Sequence, residues 1–179
     1  MSLRIGPAED PSHRMGPLID ERARAKVRDY IGIGKREGRL VLERQVAGDG
    51  FFVGPAIFAD IQPSHRLAQE EIFGPVLAVM RARDFTEAIR FANATPYALT
   101  GGVYSRSPAN IQTARETFDV GNLYINRPIT GALVGRQPFG GHRLSGVGTK
   151  AGGEGYLAQF MVARVVSENT LRRGFAPLE

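Results

Sequence analysis

The first regular pattern in the chain is helical and lies in residues 21–34. Its apolar positions are spaced i, i+4, i+7 and i+8, which places four residues on one face of a helix: Ala23, Val27, Tyr30 and Ile31. Asp20, directly before this segment, has a side chain suited to an N-cap. We therefore predict a helix that begins after Asp20 and ends at Glu37-Gly38. The preceding residues, 1–19, are broken by Gly-Pro and Asp-Pro pairs and predict an irregular segment.

The later part of the chain alternates between strand and helix patterns. Short apolar runs predict strands over residues 40–42, 56–58, 76–81, 99–105 and 120–126. Two helices lie between the last three strands; one begins at Asp84, with Glu87 completing a capping box, and the other at Ser107-Pro108. This spacing is typical of parallel strands joined by right-handed crossovers, so the predicted fold class is α/β. An alternation over residues 159–166 predicts one more strand, which needs a pairing partner.

A long glycine-rich loop over residues 127–146 follows the last strand of this alternating unit. Ligands bind beyond the carboxyl ends of parallel strands, so this loop is the natural place for a site. Gly131 and Ala132 can present successive backbone amides, as in an anion-binding nest. Leu133 and Phe139 are large apolar residues that argue against disorder. The alternative interpretation is a plain packing loop without a ligand.

A second candidate is the segment from Gln69 to Val76. Two adjacent carboxylates, Glu70 and Glu71, run into an apolar pair that ends with Phe73 and then into a Gly-Pro break. A chain that only enters a strand has no need of a carboxylate pair at this point. A solvated loop at the start of a strand is the alternative.

Composition narrows the classes of protein that fit. Hydrophobic residues make up 42% and charged residues 23% of the 179 residues, which is ordinary for one globular domain. No apolar run approaches the roughly 18 residues of a membrane span, and the N-terminus lacks the apolar core of a signal peptide, so we expect a cytoplasmic protein without a membrane partner. The chain has no cysteine, which excludes a cysteine nucleophile or a thiolate metal site within it. Its three histidines are far apart, so we expect no metal.

The net charge of +5 permits two interpretations. One is a nucleic-acid surface, because many of the basic residues lie between Arg22 and Arg39. The other is a solvated helix face, which the interspersed Glu21, Asp29 and Glu37 favour. Because no binding motif accompanies the charge, we expect no nucleic-acid partner.

Three stretches taken together resemble a known family. They are residues 69–75, residues 121–127, and Gln137-Pro138-Phe139-Gly140-Gly141 followed by Leu144-Ser145-Gly146. This ordered set resembles the C-terminal part of the NAD-dependent aldehyde dehydrogenases. Residues 130–135 and 149–153 resemble the branch that acts on Δ1-pyrroline-5-carboxylate, which is the cyclic form of L-glutamate γ-semialdehyde.

The resemblance implies roles for individual residues. Glu71 would accept hydrogen bonds from the ribose hydroxyls next to the nicotinamide of NAD, and Phe73 would pack near that ring. The amides of Gly131 and Ala132 would hold the α-carboxylate of the substrate. Phe139 would lie against the aliphatic part of the aldehyde. Glu70 would be structural.

The resemblance also implies a division of the chain. Residues 20–156 would form part of the catalytic α/β domain, residues 157–179 an oligomerisation strand and tail, and the Rossmann-like NAD domain would be absent. The family's nucleophilic cysteine and general-base glutamate would lie in a missing N-terminal half, so no catalytic residue is expected here. We expect the chain alone to be inactive and to bind no NAD. The alternative is a non-catalytic module that keeps the family fold for assembly into a homo-oligomer.

Overall fold

The structure is a computed structural model that describes residues 3–46 and 49–170. The predicted tail over residues 171–179 therefore lies outside the described residues. The described part contains helices α1 to α4, strands β1 to β7 and one 3-10 turn. In chain order they are α1 (Glu21–Glu37), β1 (Arg39–Glu43), β2 (Ala56–Ala59), α2 (Arg66–Gln69), β3 (Val76–Ala78), α3 (Phe85–Asn93), β4 (Tyr97–Ala98), β5 (Thr100–Val103), α4 (Pro108–Thr117), β6 (Asn122–Ile125), β7 (His142–Arg143) and the 3-10 turn (Leu157–Phe160).

Helix α1 and the first sheet form the larger core. The helix begins where predicted, because the Asp20 carboxylate accepts a hydrogen bond of 2.7 Å from the Ala23 amide. Three residues of the predicted face, Val27, Tyr30 and Ile31, are buried, and the fourth, Ala23, is half-buried. The face packs against a sheet in which β2 lies between β1, which is antiparallel to it, and β3, which is parallel. Phe58 on β2 is fully buried in this core.

A second, smaller core lies under the parallel pair β5 and β6. Helix α3 begins at Phe85 because Asp84 accepts a bond from the Glu87 amide, and α4 begins at Pro108 because Ser107 accepts one from the Asn110 amide. The two helices and β5 each contribute one buried residue to this core: Ile89, Ala114 and Val103. Strands β5 and β6 run parallel in register, with Gly102 opposite Tyr124. The parallel crossover predicted for this part of the chain is confirmed.

The expectation that all three strands of the alternating unit share one sheet is wrong. Strand β3 pairs with β2 and not with β5, so the described residues contain separate sheets, β1-β2-β3 and β5-β6. The strand β3 is also shorter and more exposed than predicted. Local periodicity identifies a strand but carries no information about which distant strand lies within hydrogen-bond reach of its edge.

The strand predicted over residues 159–166 does not form within this chain. Leu157–Phe160 is a 3-10 turn, and residues 161–170 belong to no strand in the part of the chain that the structure describes. The reason is physical: a β-strand exists through its ladder of hydrogen bonds, and among residues 3–46 and 49–170 no strand pairs with the segment. Pairing of this segment with another chain stays a prediction.

Replacement of Phe58 tests the larger core. Phe58→Ala removes a fully buried ring, and we expect a loss of about 3–5 kcal/mol in the free energy of unfolding. Leu77→Ala on the neighbouring strand is the matched control, because Leu77 is 53% exposed and its truncation costs less than about 1 kcal/mol. Urea denaturation followed by circular dichroism measures both. Equal losses for the two variants would contradict the assignment of this core.

Candidate functional site

Glu70 accepts hydrogen bonds from side chains on two helices. It follows α2, where Arg66 donates from Nε to Oε1 at 2.8 Å and from Nη2 to Oε2 at 2.9 Å. The hydroxyl of Tyr30 on α1 also donates to Oε2. The hydrogen bonds from Arg66 and then Tyr30 lower the pKa of Glu70 to about 2. Glu70 therefore fixes the start of the segment over residues 69–75, which we call the Glu70 segment.

Glu71 and Phe73, the residues predicted to bind the cofactor, both point away from the core. The backbone carbonyl of Glu71 accepts a hydrogen bond of 2.7 Å from Lys26 Nζ on α1. Within the described residues, no hydrogen bond or ion pair reaches the Glu71 carboxylate. Phe73 is 77% exposed and has a φ of 57°. A left-handed backbone is a costly outlier for an aromatic residue and is found chiefly at functional sites.

The three residues predicted to bind substrate come together. Gly131, Ala132 and Phe139 line one concavity of about 400 Å³, which we call the Gly131 cavity. Its remaining lining comes from β5, β6 and the loop after β6: Thr100, Tyr124, Ile129 and Thr130. Neither Glu71 nor Phe73 lines this cavity. The structure therefore joins the predicted substrate residues to one another and does not bring the predicted cofactor residues to them.

Two residues that line the Gly131 cavity, Gly131 and Ala132, have backbone amides without a protein acceptor among the described residues. Gly131 has a φ of 83°, a left-handed conformation that favours glycine. In the described ranges, the amides of Gly131 and Ala132 donate to no protein acceptor. Beside them, the Arg127 guanidinium donates from Nη2 to the Thr130 carbonyl at 3.3 Å and lies 5.2 Å from the centre of the Tyr124 ring. Two free amides with a nearby positive charge suit a carboxylate.

Sequence reasoning did not identify the strand residues of this cavity. Thr100 and Tyr124 lie on adjacent parallel strands and line the cavity together. Tyr124 is the one buried residue of β6 and the other three are half-buried, so the strand has no alternation that would mark Tyr124. The partner strand must also be known before Thr100 and Tyr124 can be placed side by side.

The loop that carries Phe139 is held on both sides. Phe139 and Ala151 exchange two backbone hydrogen bonds of 2.9 Å each. The Asn122 side chain donates to the Pro138 carbonyl at 3.0 Å and accepts from the Gly140 amide at 3.2 Å. The loop also approaches Gly121 closely: a Cβ there would meet the Gly140 carbonyl and lie 2.7 Å from Gly141 Cα. Phe139 is therefore held by its pairing with Ala151 and by the Asn122 side chain. The close approach of Gly140 and Gly141 is one that only glycine at residue 121 allows.

The described residues contain neither a candidate metal site nor a membrane-spanning helix. Among residues 3–46 and 49–170, no group of three or more acidic, histidine or cysteine side chains is placed to hold a metal ion. No helix of these same residues is long and apolar enough to cross a membrane.

Comparison with known proteins defines the class of protein. A model of the aldehyde dehydrogenase family matches residues 1–166. The chain therefore belongs to the aldehyde dehydrogenase family, as its motifs indicated.

Among its relatives are 1-pyrroline-5-carboxylate dehydrogenases. The chain is 53% identical over 169 residues to the one from Geobacillus sp. (strain WCH70), a match that covers 93% of this chain and 32% of the relative. It is 51% identical over 170 residues to the one from Bacillus subtilis (strain 168), covering 93% of this chain and 33% of the relative. The chain thus spans about a third of the length of the curated relatives it matches.

Two solved structures share the fold. The 1-pyrroline-5-carboxylate dehydrogenase from Thermus with bound NAD matches with a TM-score of 0.85 at 53% identity, over 88% of this chain and 31% of that one. Proline utilization A from Bdellovibrio bacteriovorus, inactivated by N-propargylglycine, matches with a TM-score of 0.93 at 52% identity, over 99% of this chain and 19% of that one. At these identities the likeness extends beyond the fold to the sequence.

Acid titration tests the role of Glu70. Because its pKa falls from an ordinary 4.5 to about 2 on folding, the carboxylate stabilises the fold above about pH 4.5 and loses this effect as the pH falls towards 2. Glu70→Gln should therefore lower the melting temperature most at neutral pH, and the difference from the unmodified chain should narrow below pH 4.5. Glu71→Gln is the control and should leave the melting temperature unchanged. If Glu70→Gln lowers the melting temperature by the same amount at every pH, the result would contradict this assignment.

Proposed function

We propose that this chain supplies part of the active site of an NAD-dependent aldehyde dehydrogenase that oxidises L-glutamate γ-semialdehyde to L-glutamate. One observation carries the proposal: Gly131, Ala132 and Phe139 line a single cavity, and within the described residues the amides of the first two donate to no protein acceptor. The names of the relatives support the choice of substrate. The chain would be the C-terminal portion of the enzyme, with residues 20–156 in the catalytic domain.

The substrate that this proposal names has two ends of different chemistry. Its α-carboxylate would accept hydrogen bonds from the amides of Gly131 and Ala132, and the Arg127 guanidinium beside them would add an attractive charge. Its methylene groups would lie against the Phe139 ring, where apolar contact replaces water. An aldehyde without a carboxylate could use only the second of these contacts. The cavity would therefore select aldehydes that carry a carboxylate.

The Glu70 segment fits NAD. The Glu71 carboxylate is exposed and unpaired within the described residues, so it can accept from two vicinal ribose hydroxyls at once. The exposed Phe73 ring can pack against the nicotinamide. When bound, NAD would accept the hydride that the aldehyde loses. The likeness to a Thermus structure with bound NAD supports this assignment.

The chain alone should not catalyse the reaction. The family chemistry begins with a thiolate that attacks the aldehyde, and the 179 residues contain no cysteine. The nucleophile, the general base and most of the NAD site would come from an upstream portion. We expect the isolated chain to bind no measurable NAD by calorimetry, and saturable binding would contradict this division.

A chimera tests the proposed activity. Residues 1–166 of this chain replace the aligned third of the Geobacillus relative, and NADH formation from Δ1-pyrroline-5-carboxylate is followed by absorbance. The chimera should form NADH, while the isolated chain should form none above background. An inactive chimera that folds and binds NAD would overturn the proposal.

Two glycines in the same loop separate substrate binding from backbone strain. Gly131 and Gly135 have φ angles of 83° and 73°, so alanine at either costs about 1–2 kcal/mol of strain. Only Gly131 lines the cavity, and its strain would turn the Ala132 amide. In the chimera, Gly131→Ala should therefore raise the KM for Δ1-pyrroline-5-carboxylate about tenfold or more, as expected for one lost charge-assisted bond. Gly135→Ala should leave the KM unchanged. An equal rise in KM for both variants would argue against substrate binding by the amides of Gly131 and Ala132.

The end of the described chain supports a second part of the proposal, which is assembly into a homo-oligomer. Apolar side chains over residues 157–166 are exposed, with Val162 at 95%. An exposed apolar segment without a strand partner is a site for pairing between chains. This observation also favours the alternative of a non-catalytic assembly module.

We also propose that the protein is located in the cytoplasm.

Sedimentation velocity tests assembly. The chain should sediment as a species larger than its 19.5 kDa monomer, with a coefficient that rises with concentration. Val162→Asp together with Val165→Asp should shift it towards the monomer, because charges in the pairing segment oppose association. A monomer at every concentration would contradict this part of the proposal.

A further inference from the structure

The ammonium group of Lys150 has an unusual set of partners. It donates to the Gly140 carbonyl at 2.7 Å and to the Gly121 carbonyl, and it lies 3.4 Å from Asn122 Oδ1. All three partners are neutral oxygens, and Lys150 is half-buried. In the part of the chain that the structure describes, no carboxylate lies within ion-pair distance of this ammonium.

This arrangement differs from that of an ordinary surface lysine. Lys35, one of only three lysines in the chain, is 47% exposed and forms an ion pair of 2.7 Å with Glu43. Lys150 has instead exchanged water for converging carbonyl dipoles, which is favourable only if those carbonyls are held in place around it. The ammonium and the three oxygens therefore fix one another.

The oxygens belong to two segments that meet at the Gly131 cavity. Gly121 and Asn122 lead into β6, whose Tyr124 lines the cavity, while Gly140 follows Phe139 directly. Lys150 is also next to Ala151, whose backbone pairs with Phe139. The ammonium thus joins the strand on one side of the cavity to the loop on the other.

We propose that Lys150 is the positioning residue of the Gly131 cavity, because its ammonium holds the Phe139 loop against the start of β6. Lysine suits this role better than arginine, since a compact charge can meet three converging oxygens whereas a planar guanidinium cannot. The consequence for substrate binding rests on the proposed function, but the bridge itself does not.

Amide hydrogen exchange on the full chain tests the bridge. The amides of Phe139 and Ala151 are hydrogen-bonded to each other's carbonyls and report opening of the loop. The amides of Ala56 and Val79, bonded to Pro75 and Phe58, report the larger core. In Lys150→Met, the Phe139 and Ala151 amides should exchange about tenfold faster or more, while those of Ala56 and Val79 keep their rates. Lys35→Met, which removes the same charge from an exposed ion pair, should change neither pair.

Two outcomes would overturn the inference. Unchanged exchange at Phe139 and Ala151 would show that the bridge does not hold the loop, and equal acceleration at all four amides would show a general loss of stability. If Lys150→Met does not fold, Lys150→Arg decides, because it keeps the charge but cannot reach all three oxygens. Faster exchange confined to Phe139 and Ala151 in that variant supports the bridge, and unchanged exchange overturns it.

The chimera with the Geobacillus relative separates this inference from the proposed function. Lys150→Met should raise the KM for Δ1-pyrroline-5-carboxylate about tenfold or more with a smaller change in kcat, because binding geometry is lost and the reacting groups are not. A loss in kcat alone would overturn the positioning role. If a chimera with all residues intact folds and binds NAD but is inactive, the proposed function fails, and exchange at Phe139 still decides whether the bridge exists.

Discussion

The packing of α1 on β2 is the constraint on which the first half of the molecule depends. Val27 is fully buried against this sheet, and the same helix projects Lys26 and Tyr30 to the Glu70 segment. The apolar face of this helix thus packs in the core. Tyr30 and Lys26 of the same helix bond the Glu70 carboxylate and the Glu71 carbonyl. Any shift of α1 in its packing would move the Glu70 segment with it, which links the hydrophobic core to the predicted cofactor residues.

In the second half of the molecule, a different lysine also donates hydrogen bonds to backbone carbonyls. Lys26 donates to the Glu71 carbonyl, and Lys150 donates to the carbonyls of Gly121 and Gly140. In both places an ammonium donates to backbone carbonyls of an irregular segment. Irregular segments carry function because their side chains and amides are free, but they need external support to keep one conformation. Two of the three lysines in the chain supply that support.

Much of the secondary structure follows from local signals. Asp20, Asp84 and Ser107 each cap a helix as their positions predicted, because a cap depends only on the amides two or three residues ahead. The pairing of β3 with β2 could not be predicted in this way, since it joins residues about 20 positions apart without a periodic signature. The strand expected over residues 159–166 does not form for a related reason: its alternation is present, but no strand of the described residues pairs with it.

The candidate site also combines features that local sequence signals predict with features that depend on contacts between distant residues. The possibility of a nest at Gly131-Ala132 came from the residues themselves, and the role of Phe139 came from a family resemblance. The contribution of Tyr124 and Lys150 required the parallel register of β5 and β6 and contacts across 28 to 29 residues. The left-handed backbone of Phe73 carries no signal in the sequence at all, because an aromatic residue is disfavoured there.

We propose that this chain alone presents a preformed carboxylate site at Gly131 and Ala132. Titration of the ¹⁵N-labelled chain with L-glutamate, followed by amide chemical shifts, tests it most directly. Saturable shifts are predicted at the amides of Gly131 and Ala132. The Gly135 amide, which already donates to the Gly152 carbonyl at 2.9 Å, should not move. Absence of a shift at the first two amides, or equal shifts at all three, would contradict the account.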